Sequence, residues 1–229
     1  MKNSKVSVIM SCYNAEKTVK FAIESILSQT LTNFEFLIFD DGSSDNTLKI
    51  IESFDDNRIC VFHSKENLGL TKRLNFLAQK ANGQFIARQD SDDFSLTGRL
   101  QKQLKFLLAN DEYSLCTSSS YLKNSIKIHP RFSKYLPKKF IILFKNPFIH
   151  GTLMIRSKDL KEVGYYNPLY KYSQDYKLYL DLYKKKKKIK FLMDPLYVLN
   201  LNGAISTENS LSQKFYKKKA IKSYLRFNS

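Results

Sequence analysis

The chain has 229 residues, of which 43% are apolar and 14% aromatic; that is enough for one core, too little for two independent enzymes, and it excludes a chain disordered throughout. No apolar run approaches the roughly 18 residues that a membrane-spanning helix needs. The net charge of +17 lies in the second half: residues 1–120 hold 14 Lys+Arg against 15 Asp+Glu, and residues 121–229 hold 24 against 6. Such an imbalance points to an anionic partner for that half, or else to a solvated lysine-rich surface. Cys12, Cys60 and Cys116 stand far apart in apolar runs with no metal-ligand spacing, and read as core thiols of a reducing compartment. Val6–Met10 is too short for a signal-peptide core, so the expected location is cytoplasmic.

In chain order, Val6–Met10 is a β-branched run that predicts a strand, and Val19, Ala22, Ile23, Ile26 and Leu27 form the apolar stripe of a helix. Phe34–Phe39 is nearly continuous in apolar residues, as a strand buried on both faces is. A short helix (Leu48, Ile51), a strand (Ile59–Phe62), a helix (Leu70, Leu74, Leu77, Ala78, Ala81) and a strand (Phe85–Ala87) follow. The β-α-β-α-β-α-β order predicts a mostly parallel, Rossmann-like α/β sheet flanked by helices, with ligands at the carboxyl ends of its strands. Further on, Leu100, Leu104, Leu107 and Leu108 mark a helix, and Ser114–Ser119 and Thr152–Ile155 mark strands. Gln174–Tyr183 reads as a helix, Ile189–Met193 and Leu196–Leu201 as two strands, and the basic, aromatic tail as a helix. The division expected is a single domain over 1–229, with halves 1–115 and 116–205 and a basic C-terminal helix over 206–229.

Polar clusters follow three of those strands: Ser11-Cys-Tyr-Asn14, Asp40-Asp-Gly-Ser-Ser-Asp45 and Asp90-Ser-Asp-Asp93. Three carboxylates within four residues repel one another unless a cation neutralises them. Mg²⁺ or Mn²⁺, held by one or two carboxylates and by substrate phosphates, answers that need; an acidic turn or a helix cap is the other reading. Asp40-Asp-Gly is equally a strand-turn-helix connection, with Gly42 at positive φ, or a contact for a nucleotide through Asp41.

Val6–Asn14, Ile26–Thr30, Phe34–Asp45, Asn67–Leu70, Arg88–Asp93 and Gln174-Asp175, in this order, resemble the motifs of family 2 glycosyltransferases from Val6 to about Asn200. The resemblance implies a GT-A fold with a smaller acceptor-binding second half, a nucleotide-diphosphate sugar donor with UDP favoured, Mn²⁺ or Mg²⁺, and inversion at the anomeric carbon. By position it implies nucleotide contacts for Ser11, Tyr13, Asn14, Asp41 and Asp90, metal ligation by Asp92 and Asp90, and Asp93 close by. Asp175 matches the family's catalytic base, with Gln174 where a Glu usually stands, and His150-Gly151 falls near acceptor or donor. The acceptor implied is a saccharide or lipid-linked saccharide of surface polysaccharide or lipo-oligosaccharide synthesis.

One departure stands out: Leu199-Asn-Leu-Asn202 replaces the segment in which many members carry an Arg and a His for the diphosphate. Asn202, Ser206 or a lysine would then contact the leaving group, or turnover is slow, or the protein is a catalytically impaired nucleotide-sugar or carbohydrate-binding relative. A dinucleotide dehydrogenase is disfavoured because no Gly-x-Gly-x-x-Gly follows a strand. Nucleic acid is not an expected partner, since no such motif occurs and the acidic rim would repel phosphates. Lys184–Lys188 and the tail lysines, interleaved with Tyr216, Ala220, Tyr224 and Phe227 on one helical side, predict peripheral binding to an anionic membrane, on the inner face of the cell membrane.

Overall fold

A computed structural model describes residues 5–130, 136–201 and 210–226. The first half follows the expected alternation: β1 (Val6–Cys12), α1 (Val19–Leu27), β2 (Phe34–Asp41), α2 (Thr47–Glu52), β3 (Ile59–Ser64), α3 (Leu70–Lys80) and β4 (Phe85–Arg88). Then come β5 (Phe94–Ser95), α4 (Arg99–Ala109), β6 (Tyr113–Leu122), β7 (Ile128–His129), α5 (Lys138–Ile141), a 3-10 turn (His150–Thr152), β8 (Met154–Arg156) and α6 (Ser157–Glu162). The chain continues with α7 (Gln174–Lys184), β9 (Lys188–Leu199) and α8 (Ser210–Leu225).

The nine strands of the described residues belong to one sheet in the order β3-β2-β1-β4-β8-β6-β9-β5, with β7 beside β6. The four strands of the first half are parallel, β8 runs against both β4 and β6, and β6 and β9 are parallel again. From β1 the chain moves outward to β2 and β3 and then returns to the other side as β4. A crevice opens where that direction reverses, and the loops after β1, β2 and β4 surround it.

Side-chain alternation sorts the core into two layers. Phe34, Phe36 and Ile38 of β2 join Val6, Val8 and Met10 of β1 against α1 and α4. Leu37, Phe39 and Ile9 face α3, α7 and Ala220 of α8 on the other side. Two-sided burial explains the unbroken apolar run of β2. Glu35 is buried within it, its carboxylate accepting hydrogen bonds from Ser7 Oγ at 2.5 Å and from the Asn82 backbone N–H at 2.6 Å.

Several sequence expectations need correction. The two strands expected over 189–201 are one, because β9 passes Pro195 through a register shift against Ser118 and Ser119. A bulge lets a residue without an N–H donor sit in the ladder. Helix α6 was not legible in the periodicity, having a single buried apolar residue, Leu160. The lysine run is not wholly solvated: Lys187 Nζ pairs with Asp159 at 2.8 Å and Glu162 at 2.6 Å. On α8, Ala220 is fully buried and Tyr216, Ile221 and Tyr224 pack on the core. The apolar side assigned to a membrane therefore covers the protein's own α7, while Phe227 lies outside the described residues.

Candidate active site

The loop after β1 is stitched to the loop after β2. Asn14, at φ 47°, donates its backbone N–H to Ser43 Oγ at 3.0 Å and accepts at its side-chain oxygen from the Ser44 N–H at 2.9 Å. Asp40 accepts from Ser43 Oγ at 2.5 Å, and Asp45 receives the Thr47 N–H at 2.9 Å and the Glu16 N–H at 3.1 Å. Gly42 makes the turn at φ 77°, a left-handed backbone that a side chain resists. Tyr13 is left 51% exposed at the mouth, with its ring free to cover a flat ligand.

Asp41 is buried and holds the next loop: it accepts the N–H groups of Leu68 at 3.0 Å and Gly69 at 2.8 Å, and Arg73 Nε at 2.5 Å. A carboxylate has about four acceptor positions, so one remains for a ligand. The structure thus gives Asp41 a positioning task that its place in the motif did not reveal.

The acidic turn after β4 is set by a buried polar scaffold. Gln89 Nε2 donates to the carbonyls of Asp90 at 2.9 Å and Asp93 at 3.0 Å, and Gln89 Oε1 accepts from Ser95 Oγ at 2.6 Å and Arg99 Nη1 at 3.2 Å. Tyr197 of β9 accepts the Asp90 N–H at 3.1 Å. The three carboxylates then differ. Asp90 is paired with the buried Arg88 guanidinium through both oxygens. Asp93 is buried and accepts the Asn200 N–H at 2.7 Å; burial, with Asp90 and Asp92 beside it, raises its pKa well above the usual carboxylate range. Asp92 is pushed up to about 6, by burial first and Asp90 second.

Among the described residues no three His, Cys, Asp or Glu side chains gather as a full protein cage for a metal. The donor set fits the open alternative: Asp92, whose charge is disfavoured without a cation, with the remaining lone pairs of Asp90. A hard divalent ion would complete its shell with water and diphosphate oxygens.

Across the cleft, Asp175 sits in the first turn of α7 and accepts Asn146 Nδ2 at 2.6 Å. Burial raises its pKa, against which the Tyr176 backbone N–H and the Arg88 charge act. Gln174 is buried beside it. His150 Nε2 lies 2.8 Å from the Tyr166 hydroxyl, and burial, with Arg88 nearby, lowers its pKa well below 6.5, so the ring is neutral at pH 7. A Cβ on Gly151 would stand 2.5 Å from the Tyr197 hydroxyl and 2.8 Å from Asp90 Oδ2.

Ser11, Tyr13, Asn14, Asp41, Asp90, Asp92, Asp93, His150, Gly151, Gln174 and Asp175 all line one cleft of about 1140 Å³. Sequence reasoning missed Arg88, Gln89, Arg99, Asn146 and Tyr197 as partners of these residues. Only Arg88 and Gln89 lay inside a quoted motif. Asn202 and Ser206, expected at the leaving group, fall outside the described residues, but Lys171, Lys214 and Lys217 line the same cleft.

A parallel sheet whose switch point opens onto an acidic turn places the ligand site of an α/β protein there. The chain belongs to glycosyl transferase family 2, whose family model matches residues 7–164. It is 38% identical over 157 residues to the putative glycosyltransferase EpsE of Bacillus subtilis (strain 168), covering 67% of this chain and 56% of the relative. It is 41% identical over 106 residues to the Escherichia coli UDP-Glc:alpha-D-GlcNAc-diphosphoundecaprenol beta-1,3-glucosyltransferase WfgD, covering 46% and 42%. The chain thus spans about half the length of these two relatives. The fold matches that of the mannosyltransferase PcManGT from Pyrobaculum calidifontis, solved with GDP-Man and Mn²⁺, with a TM-score of 0.77 at 15% identity over 97% of this chain and 64% of that one. The fold is GT-A.

Proposed function

We propose that the protein is an inverting, divalent-metal-dependent hexosyl- or N-acetylhexosaminyltransferase. Its donor is a nucleotide-diphosphate sugar, UDP-linked by preference. Its acceptor is a hydroxyl of a saccharide or lipid-linked saccharide in surface polysaccharide or lipo-oligosaccharide synthesis. The observation that carries this reading is the convergence of Asp92, Asp90 and Asp175 on one cleft. The UDP-Glc donor and diphosphoundecaprenol-linked acceptor of WfgD, and the Mn²⁺ of PcManGT, support it.

In this reading the nucleoside lies at the mouth, with Tyr13 over the base and Ser11, Asn14 and Asp41 at its polar edge. Asp92 and Asp90 hold Mn²⁺ or Mg²⁺, which supplies positive charge for the diphosphate. Asp175 accepts the proton of the acceptor hydroxyl as that oxygen bonds to the anomeric carbon and the bond to the diphosphate breaks. Direct displacement needs one base, unlike the two flanking carboxylates of a glycosidase. Lys214, at the cleft end of α8, takes the place of the missing Arg and His at the departing diphosphate. Residues 1–115 serve the donor and 116–205 the acceptor, while the basic second half rests on the anionic inner face of the cell membrane.

UDP release from UDP-sugars, with acceptor and Mn²⁺, tests the proposal. Asp92→Asn should fold and bind acceptor normally while losing metal-dependent turnover. Full turnover in excess EDTA would overturn the metal assignment. Donor binding without any turnover would favour the impaired relative that the altered 199–202 segment suggests.

A further inference from the structure

A second hollow, of about 510 Å³, lies between α7, α8 and the loop before α7, apart from the catalytic cleft. Five cations line it, Lys177, Lys184, Lys219, Lys222 and Arg226, with the Asp181 carboxylate beside Lys177. Their sequence spacing is ordered. Lys177 and Lys184 stand at i and i+7 on α7, and Lys219, Lys222 and Arg226 at i, i+3 and i+7 from the body of α8 to the residue after its end. Residues so spaced share one side of a helix, so two cationic stripes face a common space.

Two of the cations have fixed neighbours. Lys177 is buried, with its ammonium held by Asp181, and Lys219 Nζ sits 5.2 Å from the centre of the buried Tyr170 ring. Four of the lysines of α8 divide by face: Lys214 and Lys217 turn to the catalytic cleft, and Lys219 and Lys222 to this hollow. Asp181 offsets one of these charges, and the positive excess that remains across the groove attracts an anion. Lysine as a point charge and arginine as a planar fork both suit phosphate oxygens. Leu169, on the wall, is 69% exposed, an apolar tip beside the cations. That pairing suits the boundary between lipid headgroups and acyl chains.

We propose that this hollow is a phosphate site and that the phosphates it takes are headgroups of anionic lipids. The inference rests on the membrane reading above and narrows it from diffuse attraction to one groove. Such a contact would set α8, and with it Lys214 and the mouth of the cleft, at a fixed height over the surface.

The test is co-sedimentation of the full chain with vesicles of phosphatidylcholine alone or mixed with phosphatidylglycerol. Two variants each lose three positive charges: Lys219→Gln/Lys222→Gln/Arg226→Gln in the groove, and Lys185→Gln/Lys186→Gln/Lys188→Gln on exposed positions outside it. The groove variant should lose at least about tenfold in affinity for anionic vesicles and the other under about threefold, both keeping the wild-type melting temperature. Should the groove variant fail to fold, the exposed Lys222→Gln alone should lose about fivefold. Equal losses in the two triple variants, or equal binding to neutral vesicles, would overturn the site. Titration with glycerol phosphate separates the sources: groove-dependent binding of it without vesicle binding would overturn the lipid assignment in favour of a soluble phosphorylated ligand. UDP-sugar affinity should be unchanged in both variants. Failure here with donor binding intact leaves the transferase proposal standing, whereas absent donor binding in the wild type counts against that proposal alone.

Discussion

At Gly151 a single hydrogen separates the Tyr197 hydroxyl from the acidic turn, since a Cβ would lie 2.5 Å from that oxygen and 2.8 Å from Asp90 Oδ2. Neither neighbour can retreat, because Tyr197 accepts the Asp90 N–H and Asp90 is clamped by Arg88. Gly151→Ala should therefore displace Asp90, with a cost of about 1–3 kcal/mol as in other overpacked sites, and weaken Mn²⁺-dependent donor binding; unchanged affinity by calorimetry would refute this. Asp175 lends itself to a pH measurement. A base acts only when deprotonated, so activity should fall as pH drops through its pKa, which burial holds above the usual 3.8. The Asn146 hydrogen bond favours the charged form and works against that rise. Asn146→Ala should move the acidic limb of the kcat/KM profile to higher pH, and Asp175→Asn should lower kcat by about 10²–10⁴ with donor affinity kept. A limb that stays in place, or moves to lower pH, would remove Asp175 from the base role. The carboxylates of this site were legible because acidic residues at a strand end are costly without a purpose. Their supports were not. Asn146 and Tyr197 lie far along the chain from what they hold, and a long-range polar pair leaves no mark in local spacing.

The elements were readable where a stripe or an apolar run was long. Helices α1 and α3 and strands β1, β2 and β4 follow their patterns, and the two faces of β2 show why its run has no polar alternation. Where two or four residues suffice, as in β5, β7 and α5, pairing or tertiary contact makes the element and no periodicity exists to detect. The tail helix shows another limit. Its apolar side is visible in sequence, but a helical stripe cannot say whether it covers protein or lipid. Ala220, with no exposed surface, answers for α8. Ala220→Leu should overpack the contact with α7 at about 1–3 kcal/mol, lowering the melting temperature by roughly 2–10 °C in a chain of this size. An unchanged melting temperature would mean that α8 stands away from the body, and its apolar side would again be available to a membrane.

At the scale of the whole molecule, the cleft draws on parts distant in sequence: loops after β1, β2 and β4, the 3-10 turn before β8, the start of α7 and the first turns of α8. A ligand that fills it touches almost every layer of the fold and binds only the folded chain, because Tyr13, Asp92 and Asp175 share no local segment. Binding must then raise global stability by RT ln(1 + [L]/Kd), about 2.7 kcal/mol at a hundredfold excess over Kd. For a chain of this length that corresponds to a rise of roughly 5–10 °C in melting temperature. The rise should require UDP-sugar and Mn²⁺ together, since the carboxylates of the acidic turn and the diphosphate are both anionic and repel one another unless a cation lies between them. Adding EDTA, or substituting Asp92→Asn, should abolish most of the shift, whereas Lys222→Gln on the far side of α8 should leave it intact. A full shift with UDP-sugar alone would show that the lysines of the cleft, Lys171, Lys214 and Lys217, neutralise the diphosphate unaided, and would transfer the role assigned to the metal to them.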